Sequence, residues 1–289
     1  MRAAALTLGP DELRTSTLPE LRLRWLGTAG FELTCEGRTL LVDPYVSRPS
    51  ITRCLLGPLL PDLDAIRRYV DAADAIVVGH SHFDHALDVP AIAHRTGATV
   101  IGARSTMRLC RSAGIVAPRL VEAEPTAASP SHARVGPFEL ECASSEHSPI
   151  AAGRIPFPGD IQDRLGPPLW AHQYSCGTVL QTTIRVAGRV VVHLGSAALP
   201  ERPAAREPAD VALACVSGWH ASTDFPERAV RQVAPRRVVL SHWDNFFRPL
   251  DRPLQQLPGV HLGQLVERLR QAAPGLTVGT MPPCRPMSL

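Results

Sequence analysis

The sequence of 289 residues contains no lysine, and all 30 of its basic residues are arginine. This absence excludes chemistry that needs a lysine amine, namely a Schiff base, a lysine general base or a Walker-type phosphate loop. A large charge excess is missing too, since 30 basic against 27 acidic residues give a net charge of +3. We therefore expect no nucleic-acid partner, because such partners are met by a strongly basic surface.

The chain also has little that would direct it to a membrane or out of the cell. No stretch approaches the roughly 18 to 20 uninterrupted apolar residues of a membrane span. The first 20 residues, MRAAALTLGPDELRTSTLPE, reach Gly9 and Pro10 before any sufficient apolar run, so they do not fit a signal peptide. The seven cysteines form no C-x-x-C pair and are expected to be reduced thiols. These features predict a cytoplasmic protein without a membrane span.

Strands and helices follow one another in a mixed order along the chain. Short strands are predicted over residues 21–26, 31–35, 39–43 and 75–79. Residues 148–169 are rich in proline and glycine and predict a long loop that borders a binding surface. With 45% hydrophobic residues the chain can bury a large core, and the order of elements favours a layered α/β/β/α sandwich. We predict an N-terminal tail over 1–20 and a single domain over 21–289.

Four candidate metal ligands fall within the six residues HSHFDH, namely His80, His82, Asp84 and His85. The motif directly follows the strand predicted at 75–79, so it lies on a turn between strand and helix. Imidazole nitrogen and carboxylate oxygen together suit zinc, and they also suit iron or manganese. On a tight turn, residues two apart can point the same way while Asp84 and His85 face an adjacent position. One segment can therefore serve two metal sites about 3.5–4 Å apart.

On this motif and on the opening RWLGTAGFELTCEGRTLLVDPY, the chain resembles hydrolases of the metallo-β-lactamase superfamily over roughly residues 21–250. Within the superfamily it is most similar to the L-ascorbate-6-phosphate lactonase branch, which also resembles N-acyl-phosphatidylethanolamine phospholipase D. The resemblance implies a four-layer αββα sandwich, with Asp43 as a structural carboxylate near the metals. It implies one metal site made by His80, His82 and His147 and a second made by Asp84, His85 and His242.

The bridge that the resemblance implies between the two metals is missing. Relatives of this kind carry an aspartate after a glycine at a strand end, whereas VVVHLGSAAL puts Ser196 there. A neutral hydroxyl is a poor ligand, and two nearby divalent cations repel strongly without an anion between them. We expect one tightly bound metal, or a second metal of low occupancy. His193, Asp160 and Asp163 could compensate, but nothing in the sequence places them at the site.

The predicted function is metal-dependent hydrolysis of a lactone, amide or phosphoester bond in a small molecule. Zinc lowers the pKa of a bound water to about 7 and polarises the group under attack. Asp84 has two open roles, because it can orient this water and shuttle its proton or can be a ligand only. Candidate substrate contacts are His172, His220 and Arg154, of which the arginine would suit an anionic substrate.

Two other interpretations stay open. A mononuclear iron dioxygenase of the same superfamily, acting on a persulfide, would use a similar set of ligands. The departure at Ser196 also allows a protein that has lost catalysis and serves as a metal-stabilised binding or accessory protein. The sequence identifies neither the substrate nor the metal, and it leaves homo-oligomer formation open.

Overall fold

Fourteen strands form two seven-stranded sheets in the computed structural model. The model describes residues 3–13, 20–150, 153–202, 207–222 and 224–289. The strands, numbered along the chain, are β1 Leu21–Gly27, β2 Gly30–Cys35, β3 Arg38–Val42, β4 Ala75–Val77, β5 Thr99–Gly102, β6 Leu120–Glu122, β7 Ser131–Val135, β8 Phe138–Ser145, β9 Val179–Val186, β10 Arg189–Leu194, β11 Val211–Cys215, β12 Arg237–Ser241, β13 Thr277–Gly279 and β14 Pro286–Ser288. The first sheet has the order β14-β1-β2-β3-β4-β5-β6, and the second has the order β13-β12-β11-β10-β9-β8-β7.

Helices occupy the connections between these strands. The α-helices in the described residues are α1 Pro10–Leu13, α2 Ile51–Leu56, α3 Leu63–Tyr69, α4 Phe83–Ala86, α5 Val89–Thr96, α6 Arg104–Ser112, α7 Phe225–Val233 and α8 Leu262–Ala272. Short 3-10 helices lie at Ala3–Leu6, Ala117–Arg119, Ala171–Gln173 and Trp219–Ala221. The longest helix, α8, has 11 residues, and none of the described helices has the length and apolar character needed to cross a bilayer.

Side chains of both sheets alternate between an inner and an outer face, as the period of a β-strand requires. Val77 on β4 belongs to the core between the sheets, whereas Ile76 and Val78 join a second core with residues of α3, α5 and α6. In the other sheet, Ala212 and Leu240 face a small apolar space that is also lined by α7 and α8. The layers therefore follow the order helix, sheet, sheet, helix, which confirms the predicted four-layer αββα sandwich.

Parallel pairing brings the strand ends that matter for the site to one edge. Strands β3 to β6 are parallel neighbours in the first sheet, and β10 to β13 are parallel neighbours in the second. Open sheets of this kind bind ligands beyond the carboxyl ends of their parallel strands. Asp43 directly follows β3, Ser196 lies two residues after β10, and Cys215 ends β11. Residues that are far apart in sequence thus meet at this edge.

The segment predicted as an N-terminal tail is partly built into the fold. The Leu8 amide donates to the Thr280 carbonyl at 2.9 Å, and the Thr280 amide donates to the Leu6 carbonyl at 2.8 Å. Leu13 is fully buried. Near the other end of the chain, β14 pairs with β1 and completes the first sheet. The division into a tail and a single domain stays a prediction.

The proline-rich segment 148–169 has no helix or strand in its described residues, as the sequence predicts. Backbone hydrogen bonds hold it against the histidine motif. The Cys176 amide donates to the Phe157 carbonyl at 2.8 Å, and the Ser81 amide within the motif donates to the Cys176 carbonyl at 2.9 Å. The segment therefore forms one border of the site.

Candidate metal centre

Six buried side chains converge where strands of both sheets end. They come from the turn after β4, the start of α4, the end of β8 and the end of β12, and they are His80, His82, Asp84, His85, His147 and His242. None of them is more than 7% exposed. Each sheet contributes, so the site depends on the packing of the two sheets against each other.

The ligand atoms form two groups of three. One group is His80, His82 and His147, and the other is Asp84, His85 and His242; within each group the atoms lie within 4.8 Å of one another. The groups adjoin, because the ring centroids of His80 and His85 are 3.8 Å apart. The structure therefore brings together the two triads that the sequence and its resemblance predicted. Whether each triad binds a metal stays a prediction.

Three of the imidazoles donate one ring N–H to a fixed oxygen outside the centre. The bonds are His85 Nδ1 to Asp43 Oδ2 at 2.7 Å, His82 Nε2 to the Pro156 carbonyl at 2.8 Å, and His147 Nδ1 to the Ser148 carbonyl at 2.7 Å. Such contacts orient a ligating histidine and leave its other nitrogen with a free lone pair. The nitrogens left for a metal are His85 Nε2, His147 Nε2 and His82 Nδ1, the last of which lies 3.0 Å from His80 Nε2 within its own triad.

Asp43 joins two parts of the site. It is fully buried, and its Oδ1 accepts the Gly79 amide at 2.6 Å while its Oδ2 accepts His85. A Cβ at position 79 would lie 2.8 Å from Asp43 Oδ2. Glycine is therefore required just before the histidine motif, so that the backbone can approach this carboxylate.

The donor set fits a divalent metal. His85 Nε2 is buried and has no hydrogen-bond partner among the described residues. A buried polar atom without a partner is costly, and a bound cation would satisfy its lone pair. Five imidazoles and one carboxylate suit zinc, and also iron or manganese.

Burial keeps the imidazoles of His80, His82 and His147 in the form that can bind a cation, whereas at His85 a proton competes with the cation. It lowers the pKa of His80 and His82 and lowers the pKa of His147 to about 4, so these rings are neutral at pH 7. Burial would raise the pKa of Asp84, but the hydrogen bond with His242 and the nearby histidines outweigh it, and the pKa is lowered. Burial would likewise lower the pKa of His85, but the Asp43 carboxylate raises it overall. Neutral imidazole and ionised carboxylate are the ligating forms.

Ser196, which the resemblance sets in the place of an aspartate, does stand at the site. It lines the same cavity as the triads and is 5% exposed. Its Oγ accepts the Ser148 amide at 3.1 Å, so the hydroxyl already has a role in holding the end of β8. The position therefore offers no anion between the two triads.

The three side chains that could have compensated for Ser196 lie elsewhere. Asp160 and Asp163 pair with Arg108 at 3.4 and 2.7 Å and do not line the cavity. His193 is buried on β10 with its Nε2 3.7 Å from Asp43 Oδ2, and it too lies outside the lining. Its contact is with the carboxylate that orients His85.

A cavity of about 210 Å³ opens onto the two triads. Apart from the triads it is lined by Phe83, Ile150, Pro156, Phe157, Gly195, Ser196, Cys215, Ser217, Phe246 and Phe247. Its size suits one small chemical group with the rest of a ligand extending outwards, because whole ligand pockets are typically larger. The walls are mainly apolar outside the six side chains of the two triads.

The three predicted substrate contacts are not brought to this cavity. His172 is exposed on a short 3-10 helix, with its ring centroid 6.5 Å from that of Phe157. His220 is exposed and contacts Trp219 and His261 instead. Arg154 is exposed and lies outside the lining. Their roles in binding stay predictions.

Sequence reasoning missed Cys215, Phe83 and Phe157 as residues of the site. The position of Cys215 indicates that it is near the site. It ends β11, and its partner in the register with β12 is Ser241, the residue before His242. Its pKa is raised well above the ordinary value by burial and by Asp43, so it remains a neutral thiol in the absence of a cation. Phe157 carried no signal, since it lies in a segment without periodicity.

Comparison with known proteins indicates the family to which the chain is similar. A family model described as a beta-lactamase superfamily domain matches residues 22–242, a range that includes all six side chains. A UPF0173 metal-dependent hydrolase from Aeropyrum pernix is 42% identical over 81 residues, which span 28% of this chain and 28% of that relative. A UPF0173 metal-dependent hydrolase from Caldivirga maquilingensis is 27% identical over 235 residues, 78% of this chain and 82% of that one.

Among solved structures, Igni18, described as a novel metallo hydrolase from Ignicoccus hospitalis, has a similar fold. The TM-score is 0.58 at 16% identity, and the match covers 93% of this chain and 98% of that chain. At this identity the likeness concerns the fold alone.

Proposed function

Because the chain belongs to the beta-lactamase superfamily and has the fold of its metal-dependent hydrolases, we propose that it is itself such a hydrolase. Its substrate would be a small molecule with a lactone or other ester, an amide or a phosphoester bond. One observation carries the proposal: two buried triads of donor atoms adjoin at the wall of a single cavity. The relatives named metal-dependent hydrolases support the same class of reaction.

The triads would hold the metal, one through three imidazoles and the other through a carboxylate and two imidazoles. When bound, zinc supplies a Lewis acid that polarises the bond under attack and lowers the pKa of a coordinated water. Iron and manganese suit the same donors, so the choice of metal is left to measurement. Because Ser196 offers no bridging anion, we propose that the triads bind with unequal affinity.

Asp84 is the one carboxylate within the two triads. Its lowered pKa makes it a weak proton acceptor, since general bases act best with a pKa near the working pH. We assign it to metal binding and to orienting the attacking water by accepting a hydrogen bond. The oxygen of this water adds to the carbonyl carbon or phosphorus, the bond to the leaving group breaks, and a proton of the water ends on the leaving oxygen or nitrogen.

Elemental analysis and a single substitution test the proposal together. Protein purified without added metal is expected to contain about one equivalent of zinc, iron or manganese per chain and to hydrolyse members of a panel of esters, lactones, amides and phosphoesters. Asp84→Asn removes a charged ligand and is expected to lower metal content or kcat about 10- to 100-fold, as losses around metal sites do. Circular dichroism would check that the variant keeps its fold.

A matched control is Asp64→Asn on α3, whose side chain is 84% exposed and pairs only with Arg67. It is expected to behave as wild type. The proposal is wrong if metal-loaded protein cleaves no member of the panel, or if Asp84→Asn equals Asp64→Asn in both metal content and kcat. Metal binding without turnover would instead favour the accessory protein considered from the sequence, and oxygen uptake would favour the dioxygenase.

Finer assignments remain predictions of the sequence. They are the ascorbate-6-phosphate lactonase branch, the identity of the metal, location in the cytoplasm and homo-oligomer formation. The substrate panel bears on the first of these, because that branch implies a phosphorylated lactone.

A further inference from the structure

We propose that the substrate has an aryl or similar flat apolar group beside the scissile bond and no charge outside the reacting group, and that analogues with a remote anionic group are poor substrates. This inference rests on the proposed hydrolase function and concerns the class of molecule that the same cavity accepts. It rests on the side chains that line the cavity around the two triads.

Aromatic side chains flank the triad that contains Asp84. Phe246 lies with its ring centroid 5.2 Å from that of His242, at an angle of 85°. Phe247 and Phe83 continue the same wall, with centroid distances of 4.4 Å from Phe246 to Phe247 and 6.4 Å from Phe83 to Phe247. All three rings line the cavity. Rings at these distances favour a flat apolar group beside them over a hydrated polar one.

Apolar side chains also flank the triad that contains His82. The Phe157 ring lies edge-on to the His82 ring, 6.3 Å between centroids, and Ile150 and Pro156 line the cavity beside it. Phe157 and Ile150 are 39% and 48% exposed and face the cavity. A substrate with an apolar group would cover them. The metal centre is thus bordered by apolar surface on both sides.

Phe157 is held in this place by the site itself. It has a positive φ of 42°, a conformation that a residue other than glycine adopts only under constraint. Two hydrogen bonds supply the constraint: the Pro156 carbonyl accepts His82 Nε2 at 2.8 Å, and the Phe157 carbonyl accepts the Cys176 amide at 2.8 Å. The wall is therefore fixed to a metal-binding histidine.

A cation that could receive an anionic substituent is missing from the cavity. No arginine is present among the described residues that line it, and lysine is absent from the sequence. Arg48 is buried and lies close to Asp43 in the sequence, but its guanidinium pairs with Asp244 and does not line the cavity. A carboxylate or phosphate held against the phenylalanines would lose its hydration without gaining a partner. The lining therefore selects against charge anywhere except at the reacting group.

Two pairs of esters test the proposal on the metal-loaded full-length protein. Phenyl butyrate and the phenyl monoester of succinic acid share the leaving group and differ by one remote negative charge. We expect kcat/KM to be at least tenfold higher for phenyl butyrate. Phenyl butyrate and methyl butyrate differ in the aryl group, and Phe247→Ala and Phe157→Ala should raise KM at least tenfold for the phenyl ester and less than twofold for the methyl ester.

Trp170→Ala is the matched aromatic control, because Trp170 is 38% exposed and lies outside the cavity. It should leave both KM values unchanged. Phe247→Leu keeps bulk and is expected to fold where the alanine variant does not, with an intermediate KM for the phenyl ester. Equal or better turnover of the succinate ester overturns the proposal, and so does an unchanged KM for the phenyl ester in folded variants at both positions.

Calorimetric titration with benzamide separates this proposal from the hydrolase function. If no ester is cleaved, the hydrolase function fails, while benzamide binding still reports on the apolar walls. A Kd at least tenfold weaker in Phe247→Ala than in wild type supports the walls as an aryl site. Equal Kd values, or no binding to wild type, overturn it.

Discussion

Replacing Asp43 by asparagine is expected to weaken metal binding although Asp43 belongs to neither triad. The carboxylate accepts two hydrogen bonds, from the Gly79 amide at 2.6 Å and from His85 Nδ1 at 2.7 Å. An asparagine of the same shape has one acceptor oxygen and one donor nitrogen. Whichever way the amide is turned, its NH2 group meets another N–H, so one buried donor loses its partner.

The size of this effect follows from those contacts. An unpaired buried donor costs about 1–3 kcal/mol, which should appear as a lower free energy of unfolding of the metal-free protein. Loss of the carboxylate also removes the charge that raises the pKa of His85 and orients its ring. Losses of such supporting groups typically weaken metal binding about 10- to 100-fold. Competition with a chromophoric chelator would measure the metal Kd, and urea denaturation would measure stability.

Asp74→Asn provides the matched control for Asp43→Asn. Asp74 also accepts a backbone amide, that of Thr39 at 2.8 Å, and pairs with Arg38 at 2.7 Å, but it contacts none of the six ligands. Its replacement should lower stability slightly and leave the metal Kd unchanged. A metal Kd for Asp43→Asn within twofold of wild type would refute the reasoning.

Three further perturbations test other parts of the site. Ser196→Asp should supply a bridging anion and raise metal content from about one towards two equivalents per chain by elemental analysis; unchanged content would contradict this role. Arg48→Met leaves the buried Asp244 without its partner and should cost about 3–5 kcal/mol in urea denaturation, whereas the double variant with Asp244→Leu should recover part of it. Burial lowers the pKa of His193 to about 4 in the folded protein. Below about pH 6.5, His193 therefore binds a proton in the unfolded chain but stays neutral in the folded chain. The contribution of His193 to the stability of the metal-free protein should therefore be full above about pH 6.5 and be lost, on the order of 3 kcal/mol, towards pH 4. Urea denaturation should show a smaller total fall in stability for His193→Gln than for wild type.

Local sequence predicts the part of the site that local geometry determines. His80, His82, Asp84 and His85 follow a buried strand within six residues, so their convergence needs only one turn and the start of α4. His147 and His242 could be assigned only through the resemblance, because their positions depend on how the second sheet packs on the first. The family match confirms the superfamily that the resemblance predicted, and the hydrolytic reaction stays a proposal.

Tertiary contacts decide the parts that sequence could not predict. Phe157 reaches the cavity because a backbone hydrogen bond from a distant residue fixes its position. No hydrophobic periodicity in the sequence indicates this position. Exposed residues such as Arg154 and His220 are charged or polar, which does not specify the direction in which the backbone presents them. The strands β13 and β14 have three residues each, and β14 begins with Pro286, so their pairing depends on the sheets they complete.

Backbone strain around the last ligand explains why a costly buried ion pair is present. Thr28 and His242 both have positive φ, 50° and 58°, although neither is glycine. They hold each other, because the His242 amide donates to the Thr28 carbonyl at 2.8 Å and the Thr28 amide donates to Asp244 Oδ1 at 3.0 Å. Arg48 closes the arrangement through Thr28 Oγ1 and Asp244. Each residue with a strained backbone costs about 1–3 kcal/mol of stability. A buried ion pair adds little stability compared with a pair of apolar side chains of similar size. We therefore interpret the ion pair between Arg48 and Asp244 as what keeps His242 in position. Arg48→Met should therefore weaken metal binding as well as stability, and the double variant with Asp244→Leu should recover part of the stability without restoring the metal Kd.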